Sequence, residues 1–214
     1  MNISLKLLES DSVIRSKILD SIQDYIQPKF IQATNNLSAS LPLIVEEAIK
    51  SQPEYQSLLS GTLKFELGVP DAASRIDEIV QIWAAGARAN YGRISKSSVG
   101  LSGSFSVDMI QEDYADVLSS GAAIITDDTS GMNIPWLEWL LLEGGKILIK
   151  NYTVKFGPNN RSRTGFAIMV GSDENWRVPP EFAGTKTNNW ITRALENVED
   201  KVVGLMIKEL ERLL

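Results

Sequence analysis

The chain has 214 residues, a formal charge of −6 and 43% apolar residues, enough for one large folded domain with a core of its own. It contains no histidine and no cysteine, which excludes a Ser–His–Asp triad, a Cys–His pair, zinc sites of the usual ligands and any disulfide. The acidic balance argues against a general nucleic-acid coat, and the longest apolar runs, such as Leu140-Leu141-Leu142, fall far short of the ~20 residues that cross a bilayer.

The first 92 residues read as helical. Ile14, Ile18, Ile22, Ile26 and Phe30 recur at every fourth position, with Asp11 or Ser12 placed to cap and Pro28 near the far end. Asn35-Asn36 is expected to interrupt the helix before a second one over Pro42–Lys50. A third spans Pro53 to Leu59, and a fourth, opened by Pro70, carries Ile76, Ile79, Val80 and Trp83. The leading residues Met1 to Lys6 lack a basic-then-apolar leader pattern, so we expect no secretion signal.

Residues 93–214 change period. Val99, Leu101, Phe105, Val107 and Met109 share one parity while serines and Asp108 share the other, the mark of a strand with one wet face. A strand over Gly121–Thr126, a polar turn over Asp127–Gly131 and a short helix over Ile134–Glu143 follow. Lys146–Phe156 and Thr164–Val170 read as two strands joined by a loop long enough to protrude. A Pro-rich stretch from Val178 leads to a final amphipathic helix from Asn188 to Leu214, striped by Ile191, Leu195, Val198, Val202, Leu205 and Leu210. The order predicts a single α+β domain over 1–214, with N-terminal helices, a small mainly antiparallel sheet and a long C-terminal helix.

Three constellations carry functional weight. From Ser97 to Glu143 there are eight acids and no base, and from Gly144 to Ser172 five bases (Lys146, Lys150, Lys155, Arg161, Arg163) and no acid. Such segregation suits either chance clustering on a solvated surface or complementary faces in a head-to-tail ring, and it also lets Arg161 and Arg163 meet phosphate. Trp136, Trp139, Trp176 and Trp190 crowd the C-terminal half, as core residues or as aromatic anchors of an interface. Asp127-Asp128 with Glu143 offers a rival reading, a metal-dependent hydrolase, although adjacent acids in such a loop are most often turn formers.

Three stretches together resemble a known family. They are Ile134-Pro135-Trp136-Leu137-Glu138-Trp139, Arg161-Ser162-Arg163-Thr164-Gly165, and Pro180-Glu181-Phe182-Ala183-Gly184-Thr185 followed by Asn189-Trp190-Ile191-Thr192-Arg193-Ala194. The last resembles the aromatic–Gly–Thr turn and following helix of tailed-bacteriophage tail-completion and neck proteins. This chain has Asn189-Trp190 where those proteins usually have Pro-Phe. The resemblance implies a structural virion protein rather than an enzyme, without cofactor, assembled in the bacterial cytoplasm. It further implies a sixfold or twelvefold homo-oligomeric ring at the head–tail junction, with other neck and tail proteins as partners and DNA in the lumen. On that reading Lys155, Arg161 and Arg163, with the four tryptophans Trp136, Trp139, Trp176 and Trp190, are the candidate contact residues.

Overall fold

The computed structural model describes residues 8–109, 114–127 and 131–213. It is α+β, with helices at both ends of the chain and small antiparallel sheets between them.

The first helix, α1, runs unbroken over Asp11–Lys50, 40 residues, where the sequence predicts two helices parted at Asn35-Asn36. Pro28 and Pro42 lie inside it, each removing one intrahelical donor. The helix continues because Leu37, Leu41, Ile44, Val45, Ala48 and Ile49 form one buried stripe, and packing outweighs local propensity. Asn36 is itself useful there, donating to Glu209 Oε2 at 3.0 Å. Three helices follow: α2 (Pro53–Ser60), α3 (Thr62–Glu66) and α4 (Ala72–Gly86). α4 begins two residues after Pro70, because Asp71 turns left-handed at φ 49° before the helix starts.

The predicted strand around Val99–Met109 becomes half of a two-stranded ribbon. β1 (Arg88–Tyr91) pairs antiparallel with β4 (Phe105–Asp108), and β2 (Ser95–Lys96) with β3 (Leu101–Ser102). The Gly92 N–H to Ser104 carbonyl bond at 2.8 Å links the two segments. A Cβ on Gly92 would meet Ser104 Oγ, so a larger residue there needs that hydroxyl to rotate away. The ribbon lies along α1 and runs against its direction. Ser38 Oγ accepts from the Ala89 N–H at 3.0 Å, Gln27 Oε1 accepts from the Ile94 N–H at 3.2 Å, and Lys96 pairs with Asp20. Ribbon and helix therefore brace each other well beyond the core.

The middle of the chain is compact. α5 (Ala115–Leu118) leads to a 3-10 turn over Gly121–Ala123, which replaces the first half of the predicted strand. Ser120 Oγ caps that turn by accepting from the Ala122 N–H at 3.0 Å. β5 (Ile125–Thr126) pairs with β6 (Asn133–Ile134), and α6 covers Trp136–Leu141. The predicted hairpin is present as β7 (Ile149–Phe156) against β8 (Ala167–Trp176), with an irregularity between Lys150 and Tyr152.

The predicted final helix is two helices, α7 (Trp190–Glu196) and α8 (Glu199–Leu213), parted at Asn197-Val198. α8 lies antiparallel on α1, fixed by the Asn36–Glu209 bond, by the Lys29 ammonium on the Leu213 carbonyl, and by Lys201 near Glu47 at 3.7 Å. One buried cluster takes side chains from Leu37 through Val202 and so joins both parts of the chain. At its centre Trp83 and Trp190 meet edge to face, with ring centroids 5.5 Å apart.

Candidate functional site

The basic hairpin is built from strands whose local chemistry closes the turn. Gly157 and Gly165 supply positive φ values of 142° and 77° at its two shoulders. Between them Asn159 N–H bonds to Gly165 O at 3.1 Å, while Asn159 Oδ1 accepts from the Arg161 N–H at 2.9 Å. The tip does not protrude freely, contrary to expectation. Arg163 Nη2 stands 3.2 Å from Asp127 Oδ2, and Phe166 packs on Phe65 of α3 with centroids 5.1 Å apart. An ion pair and an aromatic contact thus fold the tip onto the body. Arg161 and Lys155 remain exposed, Arg161 at the tip and Lys155 opposite Ile168 on β8.

The tryptophans divide by position. Trp136 and Trp190 are completely buried, and each indole N–H is spent inside the protomer: Trp136 on the Ala122 carbonyl at 2.9 Å, Trp190 on the Ile49 carbonyl at 3.1 Å. Neither has surface to offer a neighbouring subunit, which corrects their candidacy as interface anchors. Trp176 is also buried, donating to Glu66 Oε2 at 2.7 Å, and its ring meets half-buried Trp139 at 6.0 Å. The spacing of Trp136 and Trp139 suggested a shared face. In the fold Trp136 faces inward and Trp139 lies across the ring of Trp176.

The turn that carries the family resemblance is a packing device. Gly184 N–H bonds to the Leu140 carbonyl at 3.0 Å and Gly184 O accepts from Gly144 N–H at 3.2 Å, so the chain crosses the end of α6 in backbone contact. A Cβ on Gly184 would stand 2.5 Å from that carbonyl, and one on Gly144 would stand 2.5 Å from Gly184 N. Only glycine fits at both positions. The turn then feeds α7 through Asn189, which is fully buried. Its Oδ1 accepts from Ile191 and Thr192 N–H at 2.9 and 3.1 Å, and its Nδ2 donates to Tyr114 Oη at 3.0 Å. Thr192 Oγ1 accepts from the Asn189 N–H at 2.8 Å, which completes a capping box. The departure from Pro-Phe has a local reason here: proline has neither the N–H nor the side-chain amide that these bonds use.

Two acids are placed where sequence reasoning did not look. Glu54, only 1% exposed, pairs with Arg193, which also donates to Asn188 Oδ1 at 2.6 Å. Glu66 on α3 takes the Trp176 N–H. Burial pushes its carboxyl above the usual range; the Trp176 hydrogen bond pulls it back in part, and the charge of Glu181 adds to the rise. No spacing in the sequence marks either acid, because both gain their meaning from residues more than 100 positions away.

The carboxylates of the hydrolase reading are otherwise engaged. Asp127 faces Arg163, and Glu143 pairs with Lys146 at 2.7 Å. Asp128 lies outside the described residues, as do Glu112 and Asp113. Among the described residues no group of three or more acids is gathered to hold a metal ion.

The surface left open is of another kind. Residues 11–32 of α1 include no buried side chain, yet Ile18, Ile22 and Tyr25 share one stripe and are 53%, 40% and 59% exposed. The β7 and β8 edges also lack a third strand among the described residues. Fold and surface define an α+β protein with a braced helical arm and a two-stranded hairpin whose tip folds onto the body. No family model, curated protein or solved structure matches the chain.

Proposed function

We propose that this chain is a structural subunit of a tailed-phage virion, forming a homo-oligomeric ring at the neck or upper tail. The observation that carries the ring is the arm. Within residues 11–32 of α1, Ile18, Ile22 and Tyr25 form an exposed apolar stripe, about 10 Å long at 1.5 Å per residue, that the protomer itself does not cover. A helix braced by a ribbon along one side and left apolar on another suits a docking element. The position at the head–tail junction rests on the Phe182–Thr185 turn and the capped helix after it, which resemble those of neck and tail-completion proteins. The sixfold or twelvefold order follows the same analogy.

The body supports a scaffold role. Its aromatic side chains and glycine contacts serve rigidity: Trp136, Trp190, Gly144 and Gly184 lock helices together. Such a body suits a part that must hold shape while its arm and hairpin meet other copies. Negative-stain electron microscopy of the concentrated protein is expected to show rings of uniform diameter. Fields of single small particles at every concentration would contradict the reading.

A further inference from the structure

We infer that the ring closes through the hairpin, the free β7 edge of each copy pairing with the free β8 edge of the next to make one continuous antiparallel sheet; this rests on the ring reading. The first observation is that the sheet stops at two strands, with α3 touching β8 only near its ends, at Phe65–Phe166 and Glu66–Trp176. β7 has 8 residues and β8 has 10, and among the described residues neither pairs with any strand but the other. Edges of that length are normally covered, bulged or charged, since they invite pairing.

Charge decides which pairing they invite. β7 carries Lys150 and Lys155 and no acid; β8 carries Asp173 and Glu174 and no base, and all four side chains are exposed. Two β7 edges brought together set lysine against lysine, and two β8 edges set acid against acid. Only β7 against β8 brings opposite charges together, and in the hairpin's own register it does so at one end, where Lys150 reaches Glu174, while Lys155 lies opposite Ile168. The signs therefore disfavour the two symmetric pairings and leave the head-to-tail one.

Geometry agrees with charge. Because β7 and β8 are antiparallel within a copy, a second copy set alongside in the same orientation presents its β7 antiparallel to the first copy's β8. No inversion is needed, which is the property of a heterologous contact that repeats around a ring. The regular ladder, Tyr152–Phe156 against Ala167–Gly171, is the part that continues across copies. In the hairpin's own register Lys150 faces Asn175, so the same register between copies brings the neighbour's Lys150 to the Asp173–Asn175 end.

The absence of cysteine makes the contact directly testable. Two single-cysteine proteins, Thr153→Cys on β7 and Val170→Cys on β8, are mixed, concentrated and oxidised to a disulfide, a bond that reaches the adjacent strand but not the like position about 10 Å away. The expected result is a covalent dimer in the mixture and none with either protein alone. A parallel pair reverses charge: Lys150→Glu with Lys155→Glu, and Asp173→Lys with Glu174→Lys. Each double variant should need at least ten-fold more protein to assemble in sedimentation velocity, and mixing the two should restore assembly. Unchanged melting by circular dichroism shows that the hairpin survives substitution. Wild-type-sized rings from both charge variants, with no covalent dimer in the cysteine mixture, would overturn this pairing and leave the ring standing. Wild-type protein that stays monomeric throughout would overturn both.

Discussion

Arg193 and Glu54 form the pair on which the seating of α7 depends. Glu54 lies fully inside, one carboxylate oxygen takes Arg193, and the other has no hydrogen-bond partner among the described residues. Removing the guanidinium leaves a buried charge without compensation, which is the costly way to break such a pair. Arg193→Met should therefore lower unfolding free energy by about 2–3 kcal/mol, somewhat under the usual range because the arginine is partly solvated. Urea denaturation checks it, and a loss below about 1 kcal/mol would contradict the account. Glu66 behaves in the opposite sense. Its raised folded-state value means that the folded protein binds a proton more readily than the unfolded chain. That contribution is complete below the ordinary carboxylate range and is lost as pH rises through the raised value. Glu66→Gln keeps an acceptor for the Trp176 N–H and removes the charge. Relative to wild type it should be near neutral at pH 4 and stabilising at pH 7, read from melting temperatures at both. A variant that is the less stable protein at pH 7 would refute the assignment.

At the scale of elements, the periodic patterns were the legible part. The alternation through Leu101, Phe105 and Val107 marks a strand with one face turned to the core, and the structure keeps that parity in β3 and β4. The hairpin, α4 and α6 also fall close to their expected places. Boundaries set by tertiary contact were hidden. Asn35-Asn36 and Pro42 signal a break that the stripe from Leu37 to Ile49 overrides, while Asn197 and Val198 interrupt what reads as one amphipathic run. The tryptophans could not be sorted into core or surface from spacing alone, since the burial of Trp136 and Trp190 depends on carbonyls at Ala122 and Ile49. The arm was legible as an amphipathic helix, but not as one whose apolar face the protomer leaves uncovered. Its role gives a prediction at this scale. Ile18→Asp with Ile22→Asp should lower the melting temperature by no more than about 4 °C, because both side chains are already largely exposed. The same substitutions should weaken self-association at least ten-fold, as judged by light scattering after size exclusion. Association unchanged by the two aspartates would remove the arm from the interface.

For the whole molecule, charge and shape act together. The hairpin edges differ in sign, and the body beneath them is braced by backbone contact at Gly144 and Gly184 and by edge-to-face packing of Trp83 on Trp190. An assembly joined through exposed charges should weaken as salt shortens the range of attraction from about 10 Å at 0.1 M to about 3 Å at 1 M. Native mass spectrometry of the wild-type chain across protein concentration, in low and high volatile salt, tests the central claim most directly. The account predicts one closed stoichiometry, six or twelve copies, that dissociates toward monomer as salt is raised. A single monomer peak at every concentration and salt, or an open ladder of sizes with no favoured copy number, would contradict it.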